Sequence, residues 1–60
     1  MSKLNDYLRS RNISRRSLSK RTGLDLRTIS RICEGRSKGS MDSWRLIANR
    51  LGCRLEDIVE

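Results

Sequence analysis

Asn12, Gly23, Gly35 and Gly52 punctuate a chain of 60 residues that contains no proline. The pieces between them are too short for long helices, and none alternates apolar and polar residues over the length of a strand. Helical spacing is present instead. Leu4, Tyr7 and Leu8 fall at i, i+3 and i+4, one stripe of a first helix. Met41, Trp44, Ile47, Ala48 and Leu51 share one side of a later helix, and Leu55, Ile58 and Val59 suggest a last short turn. The breaks fit the ends of such segments, because Gly, and to a lesser degree Asn, takes up the left-handed backbone that closes a helix. The expectation is an all-α, compact bundle of four to five helices, forming one domain over residues 1–60.

The starts are legible as well. Ser14, after apolar Ile13, is a good N-cap for a helix running to about Thr22, and Ser40 for the helix that carries Trp44. Asp25 precedes another, where its carboxylate is expected to accept backbone N–H bonds at the positive end of the helix dipole. The stretch from Gly35 to Ser40, small and basic, reads as a flexible loop with two cations, Arg36 and Lys38.

The stretch from 14 to 35 has a logic of its own. Two helices of about two turns are joined by Thr22-Gly23-Leu24, with Gly at the bend and Leu24 turned inward. That is a helix-turn-helix, whose second helix can enter a major groove. At about 100° per residue, Ile29, Ile32 and Cys33 share one side of that second helix. Arg27 and Arg31 stand opposite, one turn apart, with Ser30 between them.

Charge marks the same stretch. Between Arg9 and Lys38 there are ten Lys and Arg residues against Asp25 and Glu34, a balance of +8; residues 39–60 hold three basic residues against four acids, a balance of −1. A solvated surface usually mixes signs, whereas a basic field focused on one helical unit is the electrostatic footprint of a nucleic-acid binder. With Trp44 on a core stripe and Tyr7 the only other aromatic residue, the stacking surface of a single-strand or RNA binder is missing. No His, no Cys-x-x-Cys, no phosphate-cradling glycine loop and no carboxylate cluster offers chemistry for an enzyme, a metal or another cofactor. No apolar run reaches the roughly 20 residues that span a bilayer, and Asp6, Arg9 and Arg11 interrupt any secretory core. A cytoplasmic protein is expected, with Cys33 and Cys53 as reduced, partly buried thiols rather than a disulfide.

The stretch Ser14-Arg-Arg-Ser-Leu18-Ser-Lys-Arg-Thr22-Gly23-Leu24-Asp25-Leu-Arg-Thr28-Ile29-Ser30-Arg31-Ile32-Cys-Glu-Gly35, followed by Leu51-Gly52-Cys53 and Glu56-Asp57-Ile58-Val59, resembles the Cro/CI-type (lambda-repressor-like) helix-turn-helix family. The resemblance covers nearly the whole chain and is nearest to the short, single-domain members. It implies double-stranded DNA binding, usually as a dimer on a palindromic operator, and transcriptional regulation. Four departures stand out. Arg15 replaces a frequent Gln, Ser19 a frequent Ala, and Leu26 a residue that is often polar. Many members also pair an Arg on the first helix with a Glu near the end of the third, where this chain has Leu8 and Cys33. Exchanging a buried ion pair for two apolar groups is often neutral or stabilising, so this swap is expected to keep the fold.

Candidate contacts follow from the helix faces and the resemblance together. Arg27 and Arg31 are the leading base readers, since Arg can give two parallel hydrogen bonds to guanine; the bland alternative is that one of them touches only phosphate. Glu34, three residues after Arg31, could pair with it in the free protein. Thr28 flanks the same face and reaches either a phosphate or a base edge, or bonds back to its own helix. Leu26 either packs at the core edge or meets a thymine methyl in the groove. Arg15, Arg16, Ser30, Arg36 and Lys38 are expected on the DNA backbone, with Arg11, Lys20 and Arg21 as general field. Leu46, Leu55 and Val59 are a candidate apolar patch for a second copy. The function expected is a Cro-like repressor of bacterial, phage or mobile-element origin, reading operator DNA with residues 25–34. A protein-interaction module that antagonises another regulator is the alternative, one that has no need of the +8 segment.

Overall fold

A computed structural model describes residues 2–59 and forms five helices: α1 (Lys3–Ser10), α2 (Arg15–Thr22), α3 (Leu26–Cys33), α4 (Met41–Leu51) and α5 (Leu55–Ile58). No strand occurs among the described residues. The breaks fall where the sequence places them. Asn12 has φ +58° just beyond α1, and the Ile13 N–H donates back to the Leu8 carbonyl at 2.8 Å, closing the helix with a left-handed turn. Beyond α3, Gly35 (φ +76°) does the same while the Arg36 N–H reaches the Arg31 carbonyl at 2.9 Å.

At the helix starts, Ser14 Oγ accepts from the Ser17 N–H at 3.0 Å and Ser40 Oγ from the Ser43 N–H at 3.2 Å. Ser2, not singled out from the sequence, caps α1 by accepting from the Asn5 N–H and donates to the Cys33 carbonyl, both at 3.0 Å. One hydroxyl thereby starts α1 and ties it to the end of α3. Asp25 corrects the expectation made for it. Its backbone has N-cap geometry, yet its carboxylate makes no capping bond. The residue is exposed, so water can satisfy both the carboxylate and the first-turn N–H groups.

Packing is closed by Leu4, Leu8, Leu18, Ile29, Ile32, Cys33, Trp44, Ile47, Ala48 and Ile58. Helix α2 packs against α3 and α4, and α5 closes over α1 and α4. Leu8 and Cys33 are both buried in this cluster, as the apolar swap requires. Met41, expected on the α4 stripe, is instead 55 % exposed. It is the first residue of α4, and helical side chains lean toward the N-terminus, which carries it past the edge of the core. The proposed patch is also less open than expected. Leu55 and Val59 pack against the core, and Leu46 is half-buried outside that cluster.

The loop after α3 is more constrained than its composition suggests. Trp44 Nε1 donates to the Lys38 carbonyl at 2.7 Å. Gly39 (φ +72°) lies so close that an added Cβ would sit 3.0 Å from Trp44 Nε1 and 3.2 Å from Ile32 Cδ1. Gly35 has the same backbone sign with open space around it. Gly35→Ala should therefore cost only the left-handed strain, about 1–2 kcal/mol, and Gly39→Ala should cost clearly more in urea or thermal unfolding. Equal losses would mean that the contact with Trp44 does not limit this position.

Burial raises the Cys33 thiol above its ordinary pKa, and the nearby Arg15 guanidinium offsets only part of that rise. Cys53 is also raised, first by burial, with a hydrogen bond from Tyr7 acting the other way. Because the thiolate is the reactive form and Cys33 is 3 % exposed, a thiol reagent at neutral pH should modify Cys53 first and Cys33 only as the protein opens. Equal rates in the native protein, read by mass spectrometry, would contradict this placement.

Candidate nucleic-acid interface

The turn between α2 and α3 sets the pose of everything on α3. Gly23 adopts φ +77°, and its N–H donates to the Ser19 carbonyl at 2.8 Å. Thr22 Oγ1 donates to the Leu18 carbonyl at 2.8 Å and accepts from the Leu24 N–H at 3.2 Å, while Ser19 Oγ donates to the Leu24 carbonyl. Ser19 thus does more than stay small where Ala is frequent. Its hydroxyl ties α2 to the first residue after the bend. Leu24 is half-buried against the core, as its inward turn predicts.

With the turn held, α3 presents two faces. Ile29 and Ile32 are buried with Cys33 on one side. Arg27 and Arg31 are exposed, and neither has an ion-pair or hydrogen-bond partner among the described residues. Thr28 and Ser30 are half-buried, and neither hydroxyl has a hydrogen-bond partner among the described residues. Leu26 is 37 % exposed and lies outside the core cluster.

The backbone candidates divide into two places. Arg15 and Arg16 lie in the first turn of α2, which contains no acid; Arg36 and Lys38 lie on the loop after α3. Arg16, Arg36 and Lys38 are exposed and Arg15 is half-buried. Glu34 brings Arg15 and Arg36 together. Its carboxylate lies 3.2 Å from Arg15 Nη1 and 3.4 Å from Arg36 Nε. The expected Glu34–Arg31 pair is not formed. The start of α2 packs beside the end of α3, and this puts Arg15 in reach of the carboxylate while Arg31 stays on the outward face. The sequence reading missed this arrangement, because residues 19 positions apart carry no periodic signal.

Two residues assigned to the general field also have local work. The Arg11 guanidinium lies over the Tyr7 ring, 5.0 Å from its centroid. The Arg21 carbonyl accepts from Arg50 Nε at 3.0 Å, a cation meeting the carbonyl end of α2. Among the described residues no group of three or more His, Cys, Asp or Glu comes together to hold a metal, and no helix is long and apolar enough to cross a membrane.

No curated protein and no solved structure matches this chain significantly. A family model does, over residues 3–60, and the five-helix, all-α structure is consistent with it. The chain belongs to the family of Cro/C1-type HTH DNA-binding domains.

Proposed function

We propose that the protein is a Cro-like transcriptional repressor of bacterial, phage or mobile-element origin, acting in the cytoplasm on double-stranded operator DNA. The observation that carries this reading is the pair Arg27 and Arg31, exposed and without protein partners on the face of α3 opposite its buried side. Guanidinium groups without an internal partner have no ion pair to break before they meet a ligand. In a major groove they would reach guanine edges, with Leu26 against a thymine methyl and Thr28 on a base edge. Arg15, Arg16, Ser30, Arg36 and Lys38 would hold phosphates on either side. Occupancy of a promoter would block transcription without any cofactor, small-molecule substrate or membrane.

The same reading requires a homodimer on DNA. Two Arg readers specify only a few base pairs, too little to select one site among the competitors in a genome. A second copy about one helical turn away doubles the readout, and two-fold symmetry makes the half-sites inverted. With principal extents of 23 × 21 × 20 Å, two copies whose centres stand roughly 34 Å apart, one helical turn, do not overlap. Selection from a random duplex pool should therefore enrich an inverted repeat with half-sites about one turn apart. Enrichment of a single half-site would remove the dimer, and a pool that enriches nothing would remove operator reading and favour the interaction module.

Roles within the interface separate by substitution. Arg31→Ala should cost about 1–3 kcal/mol on the selected site and relax its sequence preference. Lys38→Ala should weaken all duplexes about equally and reduce the salt slope by about one unit. Identical losses on selected and scrambled duplexes for both variants would overturn this division.

A further inference from the structure

The geometry points to Glu34 as an internal phosphate competitor: its carboxylate occupies Arg15 and Arg36 in the free protein, so that the two arginines together neutralise about one DNA phosphate rather than two. This rests on the reading that Arg15 and Arg36 face the DNA backbone.

Three observations carry it. First, the carboxylate sits between two guanidinium groups from different elements, α2 and the loop after α3, with a separate oxygen for each: Oε2 to Arg15 at 3.2 Å and Oε1 to Arg36 at 3.4 Å. A phosphate bridging the same groups would use two oxygens in the same way. Second, α3 does not gain from this acid. Glu34 occupies the C-cap position, where the helix dipole disfavours negative charge. Third, water reaches all three groups, with the side chains of Arg36 77 %, Glu34 43 % and Arg15 35 % exposed. Pairs this exposed are weak, so a phosphate can replace the carboxylate without opening the core.

The consequence is electrostatic. Binding affinity falls with salt in proportion to the phosphates neutralised. An acid left beside the bound strand cancels one of the two cations, which lowers attachment to every duplex alike. Selection of a site is then left to the side chains on α3.

Binding to a mixed-sequence duplex and to the duplex enriched from a random pool, measured by fluorescence anisotropy across salt concentrations, tests this. Glu34→Gln should steepen the slope of log affinity against log salt by about 0.9 on both duplexes and tighten binding about five-fold at moderate salt. Glu34→Ala, which has no amide to replace the carboxylate, should steepen it equally. An unchanged slope overturns the proposal. Weaker binding overturns it too, since Glu34 would then serve to hold the arginines in place for phosphate. Arg15→Ala and Arg36→Ala separate the two levels of the argument: if neither alters affinity or slope, the backbone-contact reading itself is wrong, whatever Glu34 does.

Discussion

Ile29 and Ile32 hold α3 by one face, and the protein has few other means of fixing that helix. In a chain this short a single small core supplies most of the force that holds the helices together. Leu18 from α2, Trp44 and Ile47 from α4, and Ile58 from α5 belong to the same buried cluster, in which Ile29 and Ile32 are almost without exposure. Burial at about 25 cal/mol per Å² of apolar surface supplies the force. It is non-directional, however, and does not set the angle between α2 and α3. That angle comes from the polar pins of the turn, where Thr22, Ser19 and the left-handed Gly23 satisfy one another and the Leu24 backbone.

Function depends on this division between apolar force and polar direction. Arg27 and Arg31 are separated by one helical turn on the face that the core leaves free, so their spacing is a property of α3 and their direction a property of the turn. The loop after α3 is held with comparable care. Trp44 spends its N–H on the Lys38 carbonyl and packs against Gly39, which fixes the backbone from which Arg36 and Lys38 project. The side chain that most resembles a nucleic-acid stacking residue by type is thus a strut beneath the candidate phosphate contacts.

The electrostatic pattern has a similar layering. A balance of +8 over residues 9–38 gives the field, but several of its members have local partners: Arg11 with Tyr7, Arg15 and Arg36 with Glu34. Arg27 and Arg31 have no such partner among the described residues and lie on the exposed face of α3, and Arg16 and Lys38 beside it are likewise without one. Total charge measures attraction to a polyanion, and the local partners decide which of those cations must first give up an internal contact.

Much of the fold was legible in the chain itself, because it rests on local rules. Asn12, Gly23, Gly35 and Gly52 end helices through backbone conformations set within a few residues, Ser14 and Ser40 start them by bonding three residues ahead, and the 3.6-residue period assigns Ile29, Ile32, Ile47 and Ile58 to the inside. The outward pair Arg27 and Arg31 follows from the same period. What tertiary structure alone decided involves residues far apart in sequence or at the edge of a stripe. Glu34 turned to Arg15 and Arg36 rather than to its helical neighbour Arg31, Ser2 reached the Cys33 carbonyl, Ser19 acquired a partner across the bend, and Met41 fell outside a core its periodicity had included. Asp25 kept the backbone of a cap without the side-chain bond, since at an exposed position water competes on equal terms. Periodicity specifies which face a residue is on. Which neighbour a polar group chooses depends on helix packing in three dimensions, and that is decided only when the core closes.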